Sequence, residues 1–150
     1  MKTLLLIVVA SSFLAIAGST LAQAQVLDTI VADIPFAFTV KNTTLPAGRY
    51  TIKRLDSTNP GVMEITSADN SEKRIFLVGS AQANKEPDKS KLIFDRIGDR
   101  YFLSKIFEAG DSSGVELQKS RVERQLDEEG KIGQVQSVAV LARTATPAER

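Results

Sequence analysis

The sequence predicts an all-β domain, a single antiparallel β-sandwich or small β-barrel of about seven strands, with one short helix near the C-terminus. Short runs of alternating apolar and polar residues, typical of half-buried strands, predict the class. Clusters of Gly, Pro, Asn, Asp and Ser separate these runs at short intervals. One two-residue pair, Gly98-Asp99, lies between two long apolar runs and indicates a tight hairpin.

The first strand is predicted over residues 34–40. Its apolar side chains alternate and would share one face: Ile34, Phe36, Phe38 and Val40. Pro35 cannot donate a ladder hydrogen bond, so we expect it at the start of a strand or on an edge. Asn42-Thr43-Thr44 should then turn the chain.

A second strand is predicted over residues 49–55. Pro46 and Gly48 form a turn signal before it, because proline presets φ and glycine accepts a positive φ. Tyr50 and Ile52 would lie on the same face of this strand.

Residues 56–61 are rich in turn formers and separate this strand from a short one at 62–67. Their spacing resembles a calcium loop only faintly, since the side chains needed at its later positions are missing. Residues 74–79 would place apolar side chains on both faces of a strand, which predicts a buried central strand.

Residues 91–97 and 100–107 flank Gly98-Asp99 and predict a β-hairpin. Polar loops are predicted on either side of it, over residues 81–90 and 108–114.

Ser120 and Glu123 have the spacing of a capping box, with the serine at the N-cap and the glutamate three residues later. Val122 and Leu126 would form one apolar face of the resulting short helix, and Gly130 would end it. Residues 132–142 predict a closing strand.

The first 24 residues have the layout of a secretory signal peptide: a positive start at Lys2, an apolar run over residues 4–17, and a small-residue stretch ending Ala22-Gln23-Ala24. Cleavage is predicted between Ala24 and Gln25. The alternative is a retained membrane anchor, but serine and glycine interrupt the run and no Lys or Arg follows it until Lys41.

The predicted domains are therefore a signal peptide (1–24), a β-domain (25–143) and a disordered tail (144–150). Loss of Lys2 leaves equal numbers of basic and acidic residues in the mature chain. A neutral chain without a charge block argues against nucleic acid as a partner. With no cysteine to carry a lipid, we expect a product in the periplasm or outside the cell, with no stable membrane anchor after processing.

The absence of His and Cys excludes the Ser-His-Asp and Cys-His catalytic arrangements and nearly every common zinc site. No phosphate-binding glycine motif is present. We therefore expect no cofactor, no metal and no enzymatic activity. Carboxylate pairs remain possible for acid–base chemistry, and the candidates are Asp33, Glu64, Asp95 and Glu116. The alternative, which the alternation favours, is that these are solvent-facing strand positions.

The aromatic side chains offer two interpretations, the lining of a ligand cavity or an ordinary core: Phe36, Phe38, Tyr50, Phe76, Phe94, Tyr101, Phe102 and Phe107. The core interpretation is favoured, since such residues are usually buried. Ion pairing across the hairpin would explain Arg96, Arg100, Asp95 and Asp99 without a function.

Four segments together resemble a family of small secreted bacterial proteins of no established activity: IPFAFTV (34–40), LPAGRYTI (45–52), KLIFDRIGDRYFLSKIF (91–107) and ELQKSRVERQL (116–126). Members have an Ile-Pro-Phe-x-Phe strand, a Leu-Pro-Ala-Gly-x-Tyr turn, a Gly-Asp-x-Tyr-Phe-Leu hairpin and a Ser-x-x-Glu-Arg segment. Ile97 stands where family members often have Tyr, and Gln118 stands where they often have Pro. The resemblance implies an exported β-domain and no catalytic or binding residues.

Three functional hypotheses follow. The leading one is a non-catalytic exported domain that binds a small ligand or a component of the cell envelope. The second is a structural or assembly role in which an exposed strand edge pairs with another chain. The third and weakest is a carboxylate-dependent hydrolase.

Overall fold

The computed structural model describes residues 29–56, 58–129 and 135–145. These residues form ten strands and one helix: β1 (Ile30–Ile34), β2 (Phe38–Val40), β3 (Thr43–Leu45), β4 (Gly48–Arg54), β5 (Val62–Ser67), β6 (Lys73–Gln82), β7 (Lys91–Ile97), β8 (Arg100–Phe107), β9 (Ser113–Leu117), α1 (Arg121–Glu128) and β10 (Gln136–Thr144). The predicted all-β class with one short C-terminal helix is confirmed. The predicted signal peptide, including Ala24 and Gln25, lies outside the described residues.

Eight strands close into an antiparallel barrel in the order β8-β7-β10-β1-β4-β5-β6-β9, and β9 completes the ring by pairing with β8. The sequence left a sandwich and a barrel open as alternatives, and this pairing decides for the barrel.

The two longest strands make closure possible because each divides its pairing between two neighbours. β6 pairs with β5 over Lys73–Leu77 and with β9 over Val78–Gln82. β10 pairs with β7 over Gln136–Leu141 and with β1 over Ala142–Thr144. This stagger lets the sheet curl back onto itself.

The single strand predicted over residues 34–40 is two strands. β1 ends at Ile34 and β2 begins at Phe38, with Pro35 between them. A proline in the run interrupts the ladder, because it has no N–H to donate. Three of the four apolar side chains predicted to share a face, Ile34, Phe38 and Val40, are buried in the core, and the half-buried Phe36 packs against it.

Several predicted strand boundaries differ from those observed. The turn expected at Asn42-Thr43-Thr44 lies at Lys41 and Asn42, where Lys41 has φ of 61°, and β3 already begins at Thr43. β9 begins inside the loop predicted over residues 108–114. β10 ends at Thr144, where the predicted tail begins.

The β7–β8 hairpin has the predicted bounds, and Gly98 at its turn has a positive φ of 61°, which glycine accepts without strain. The capping box is also confirmed. The Ser120 N–H donates to Glu123 Oε2 at 2.6 Å, and the Glu123 N–H donates to Ser120 Oγ at 3.0 Å. Asn42 Oδ1 accepts the Arg121 N–H at 3.0 Å, which ties the start of α1 to the β2–β3 turn.

Aromatic side chains fill the core, as the core interpretation predicted. Phe38 makes edge-to-face contacts with Tyr50 (5.1 Å between centroids) and Phe94 (5.5 Å), and Phe36 stacks on Tyr101 at 3.9 Å. The buried Tyr50 hydroxyl donates to the Pro46 carbonyl oxygen at 2.7 Å, so its polar end is satisfied.

The prediction that residues 74–79 form a strand buried on both faces is wrong. Phe76 is buried, but Ile75 and Leu77 are 53% and 48% exposed. A barrel wall buries only the face that points inward, so the alternate side chains of β6 face outward. Their apolar character therefore needs another explanation.

Gly114 on β9 lies where β8 and β9 approach each other closely to close the barrel. It lies opposite Phe107 on β8, and a Cβ there would overlap the Phe107 ring and lie 2.5 Å from the Ile106 carbonyl oxygen. We expect Gly114→Ala to lower the free energy of unfolding by about 1–3 kcal/mol, as overpacking does. Urea denaturation measures it. Gly79→Ala is the control, because nothing lies within 4 Å of that position; equal losses in both variants would contradict the argument.

Candidate functional site

Three open surface depressions lined by described residues have volumes of about 450, 380 and 390 Å³. The largest of these three lies over the outer face of β4, β5 and the start of β6. We call it the Glu64 depression, and the residues that matter here are Thr51, Lys53, Glu64, Thr66, Asn70 and Lys73.

Strand alternation and register build this site. Met63 and Ile65 are buried in the core, so Glu64 between them points outward. Antiparallel pairing places Lys53 of β4 directly opposite Glu64, and Lys73 of β6 opposite Thr66. Three consecutive strands thus bring two ammonium groups to one carboxylate.

Glu64 is the unusual member, because its side chain is only 5% exposed although it lies on the outer face. Lys73 Nζ lies 2.9 Å from Glu64 Oε2, and Lys53 Nζ lies 3.8 Å from Oε1. Thr66 Oγ1 donates to Oε1 at 3.3 Å. Both lysine side chains remain more than half exposed, so the cluster is a buried anion beneath two solvated cations.

Two opposing effects act on the pKa of Glu64. Burial raises it, whereas the hydrogen bond from Lys73, the charges of Lys73 and Lys53, and the Thr66 hydroxyl lower it. The lowering effects together prevail, so the pKa of Glu64 lies below its ordinary value. The carboxylate is ionised at neutral pH.

The β5–β6 turn forms one rim of the depression. Asp69 accepts hydrogen bonds from the Ser67 hydroxyl (2.6 Å) and from the Ser71 hydroxyl and N–H (2.8 and 3.1 Å). These bonds lower the pKa of Asp69 to about 2. Asn70 follows with φ of 59°, a conformation that asparagine accepts more readily than most residues.

The structure separates the four candidate carboxylates. All lie on outward-facing strand positions, and each has its own partner. Asp33 forms an ion pair with Arg49 (2.8 Å), Asp95 accepts from the Ser137 hydroxyl (3.3 Å), and Glu116 lies 3.9 Å from Lys105. Of the four, Glu64 alone lines one of the three depressions.

Of the four charged residues that cross-hairpin ion pairing was expected to explain, Arg96 and Asp99 are partners, whereas no ion pair joins Asp95 to Arg100. Arg96 lies 3.9 Å from Asp99, donates to the Gly98 carbonyl oxygen at 3.0 Å, and lies over the Tyr101 ring. These contacts brace the turn.

Among residues 29–56, 58–129 and 135–145, no group of three or more His, Cys, Asp or Glu side chains is arranged to hold a metal ion. The same part of the chain has no helix with the length and apolar character needed to cross a bilayer.

Comparison with protein-family models, with curated proteins and with solved structures gave no match. The resemblance to a secreted bacterial family therefore stays a prediction.

Sequence reasoning singled out Glu64 but missed Lys53 and Lys73. The missing signal is register: Lys53 on β4 and Glu64 on β5 are cross-strand partners, and Lys73 follows in the next strand. Locating the strand ends within one residue would have revealed the cluster.

The lowered pKa of Glu64 makes its contribution to stability depend on pH. The pKa of Glu64 in the unfolded chain is about 4.5, and above that pH the ionised carboxylate contributes its full stabilisation to the fold. This contribution is lost as the pH falls through the lower pKa of the folded state. We expect Glu64→Gln to reduce the free energy of unfolding by about 1–2 kcal/mol at pH 7. The difference from wild type should shrink below pH 4.5 in urea titrations.

Glu116→Gln is the matched control, because it removes an exposed carboxylate at 3.9 Å from a lysine. Its expected effect is below about 0.5 kcal/mol. A Glu64→Gln difference that is as large at pH 3 as at pH 7 would contradict the assignment of the effect to the ionised carboxylate.

Proposed function

We propose that this protein is an exported, non-catalytic binding domain that holds a small polar ligand bearing an acidic group in the Glu64 depression. The observation that carries the proposal is the buried Glu64 carboxylate held beneath two half-exposed lysines. The two lysines offset the cost of burying this carboxylate while their own ammonium groups stay accessible to solvent, where a ligand could contact them.

The charge at this site favours an anionic ligand. Each ammonium group has three donors. Lys73 Nζ lies 2.9 Å from Glu64 Oε2, whereas Lys53 Nζ lies 3.8 Å from Oε1, beyond hydrogen-bond distance. Donors therefore remain, directed to solvent. Thr51 and Asn70 line the same depression and add a hydroxyl and an amide, which suit the hydroxyl groups of a saccharide.

The packed core supports a surface site over a ligand in the barrel. Phe38 contacts both Tyr50 and Phe94, whereas a carrier would hold such rings apart around its ligand. The separation of the candidate carboxylates supports a binding role over hydrolysis, because a glycosidase needs two of them facing one cleft.

Export is the second part of the proposal, and its support is the sequence of residues 1–24. A location in the periplasm or outside the cell would supply acidic saccharides and other envelope components as ligands. The equal numbers of acidic and basic residues in the mature chain suit a site-specific contact better than broad electrostatic attachment.

Glucuronate and glucose form a matched pair of probes that differ in one carboxylate. We expect the mature protein to bind glucuronate measurably more tightly than glucose in NMR titrations, with shifts concentrated at Lys53, Thr66 and Lys73. Lys53→Gln combined with Lys73→Gln should weaken glucuronate binding by at least about tenfold, roughly 1.4 kcal/mol.

Lys105→Gln is the control variant, since Lys105 also lies opposite a glutamate on the neighbouring strand but lines none of the three depressions. It should bind like wild type. Equal binding of glucose and glucuronate, or an unchanged affinity in the double lysine variant, would rule out the proposed site.

Export predicts a defined mature terminus. When the full chain is expressed in a bacterial host, we expect intact-mass spectrometry of the exported protein to show an N-terminus at Gln25. Ala24→Leu should block processing, because signal peptidase requires a small residue there. Recovery of wild-type protein that retains Met1 in the cytoplasm would contradict export.

A further inference from the structure

β6 is the longest strand of the barrel, and one of its edges is only partly covered. It has ten residues, whereas β9, its neighbour on one side, has five. β9 pairs with Val78–Gln82 and then leaves the sheet. In the part of the chain that the structure describes, no strand pairs with this edge of β6 over Lys73–Leu77.

The hydrogen bonds at both ends of the β5–β6 ladder show which backbone groups face this edge. The Val78 N–H donates to Gly61 O at 2.9 Å, and the Ser67 N–H donates to Glu72 O at 2.8 Å. Even-numbered residues of β6 therefore face β5, and odd-numbered residues face the other way. Ile75 thus directs its N–H and C=O to the uncovered edge.

Two of the three outward side chains along this edge, Ile75 and Leu77, are apolar, and the third is Lys73. Ile75 and Leu77 point outward and are about half exposed. They are two of the four large hydrophobic residues exposed in the described ranges. Pro35 would hinder strand addition if it lay on this edge, because proline has no N–H to donate, but it lies between β1 and β2. An unpaired edge with exposed apolar side chains is a site for strand addition.

We propose that residues 73–77 of β6 pair antiparallel with the same segment of a second copy of this chain, about a twofold axis at Ile75. The segment is self-complementary in this arrangement. Ile75 meets Ile75 of the other copy in a hydrogen-bonded pair, and Leu77 lies opposite the aliphatic stem of Lys73. Four exposed apolar side chains join into one cluster.

Charge does not oppose this pairing. Lys73 is the cation on the outer face of the segment, and its ammonium already lies 2.9 Å from the buried Glu64 of its own chain. Arg74 is held by Glu72 at 2.9 Å. Its guanidinium also donates to the Lys73 carbonyl oxygen, an acceptor on the uncovered edge, and must share or leave that oxygen when the Leu77 N–H of the other copy pairs there. The two copies would therefore meet through apolar side chains and backbone groups, with the Lys73 ammonium turned toward the Glu64 depression of its own chain.

A single introduced cysteine tests the register directly, because the chain has no cysteine of its own. Opposite residues in a hydrogen-bonded antiparallel pair have Cα atoms about 5.5 Å apart, within the range that a disulfide spans. We expect Ile75→Cys to form a covalent dimer on mild oxidation. Leu141→Cys, at an equally exposed apolar position on β10, should crosslink at least about tenfold more slowly.

Sedimentation of unmodified protein tests the interface without a crosslink. Wild type should dimerise, and Ile75→Pro should raise the dimer dissociation constant by at least about tenfold. Proline at position 75 removes no hydrogen bond to β5, because the Ile75 N–H faces the uncovered edge. If Ile75→Pro loses its circular dichroism signal and so fails to fold, Ile75→Lys replaces it as the test variant. A wild-type chain that stays monomeric up to about 0.5 mM would overturn the proposal. A dimer that Ile75→Lys leaves intact, or equal crosslinking of both cysteine variants, would do the same.

Discussion

Two long strands, β6 and β10, each pair with one neighbour over the first part of their length and with another over the second, and the barrel depends on this stagger. One side of the barrel is built from β1, β4 and β5, and the other from β7, β8 and β9. Only strands long enough to belong to both sides can join them. Closure then gives every strand an inner and an outer face, which determines where apolar packing and polar chemistry can occur.

The inner face is occupied by packed aromatic and aliphatic side chains. The β2–β3 hairpin contributes Phe38, Val40 and Leu45 to this core although it lies outside the ring of eight strands. It also covers the part of β8 that the short strand β9 does not reach, since β2 pairs with β8 at Phe102. The filled interior leaves the outer surface as the place for the proposed ligand and the proposed partner chain.

The outer surface has two features that ordinary packing does not require, and they adjoin each other on β5 and β6. Glu64 is a buried carboxylate between two lysines, and Ile75, its cross-strand partner, is an exposed apolar residue beside an unpaired edge. Both arise because outward positions on neighbouring strands lie side by side. The Glu64 cluster suits a polar ligand, and the edge at Ile75 suits pairing with a further strand.

The sequence by itself determined the all-β class, the β7–β8 hairpin, the capping box at Ser120 and the absence of His- and Cys-based chemistry. Each depends on residue types or on residues a few positions apart. Only the tertiary structure decided that the sheet closes, that the run through Pro35 divides, that Ile75 and Leu77 face solvent, and that Glu64 is buried by Lys53 and Lys73. These outcomes depend on which strands become neighbours and in which register, and a shift of one residue would move every side chain to the opposite face.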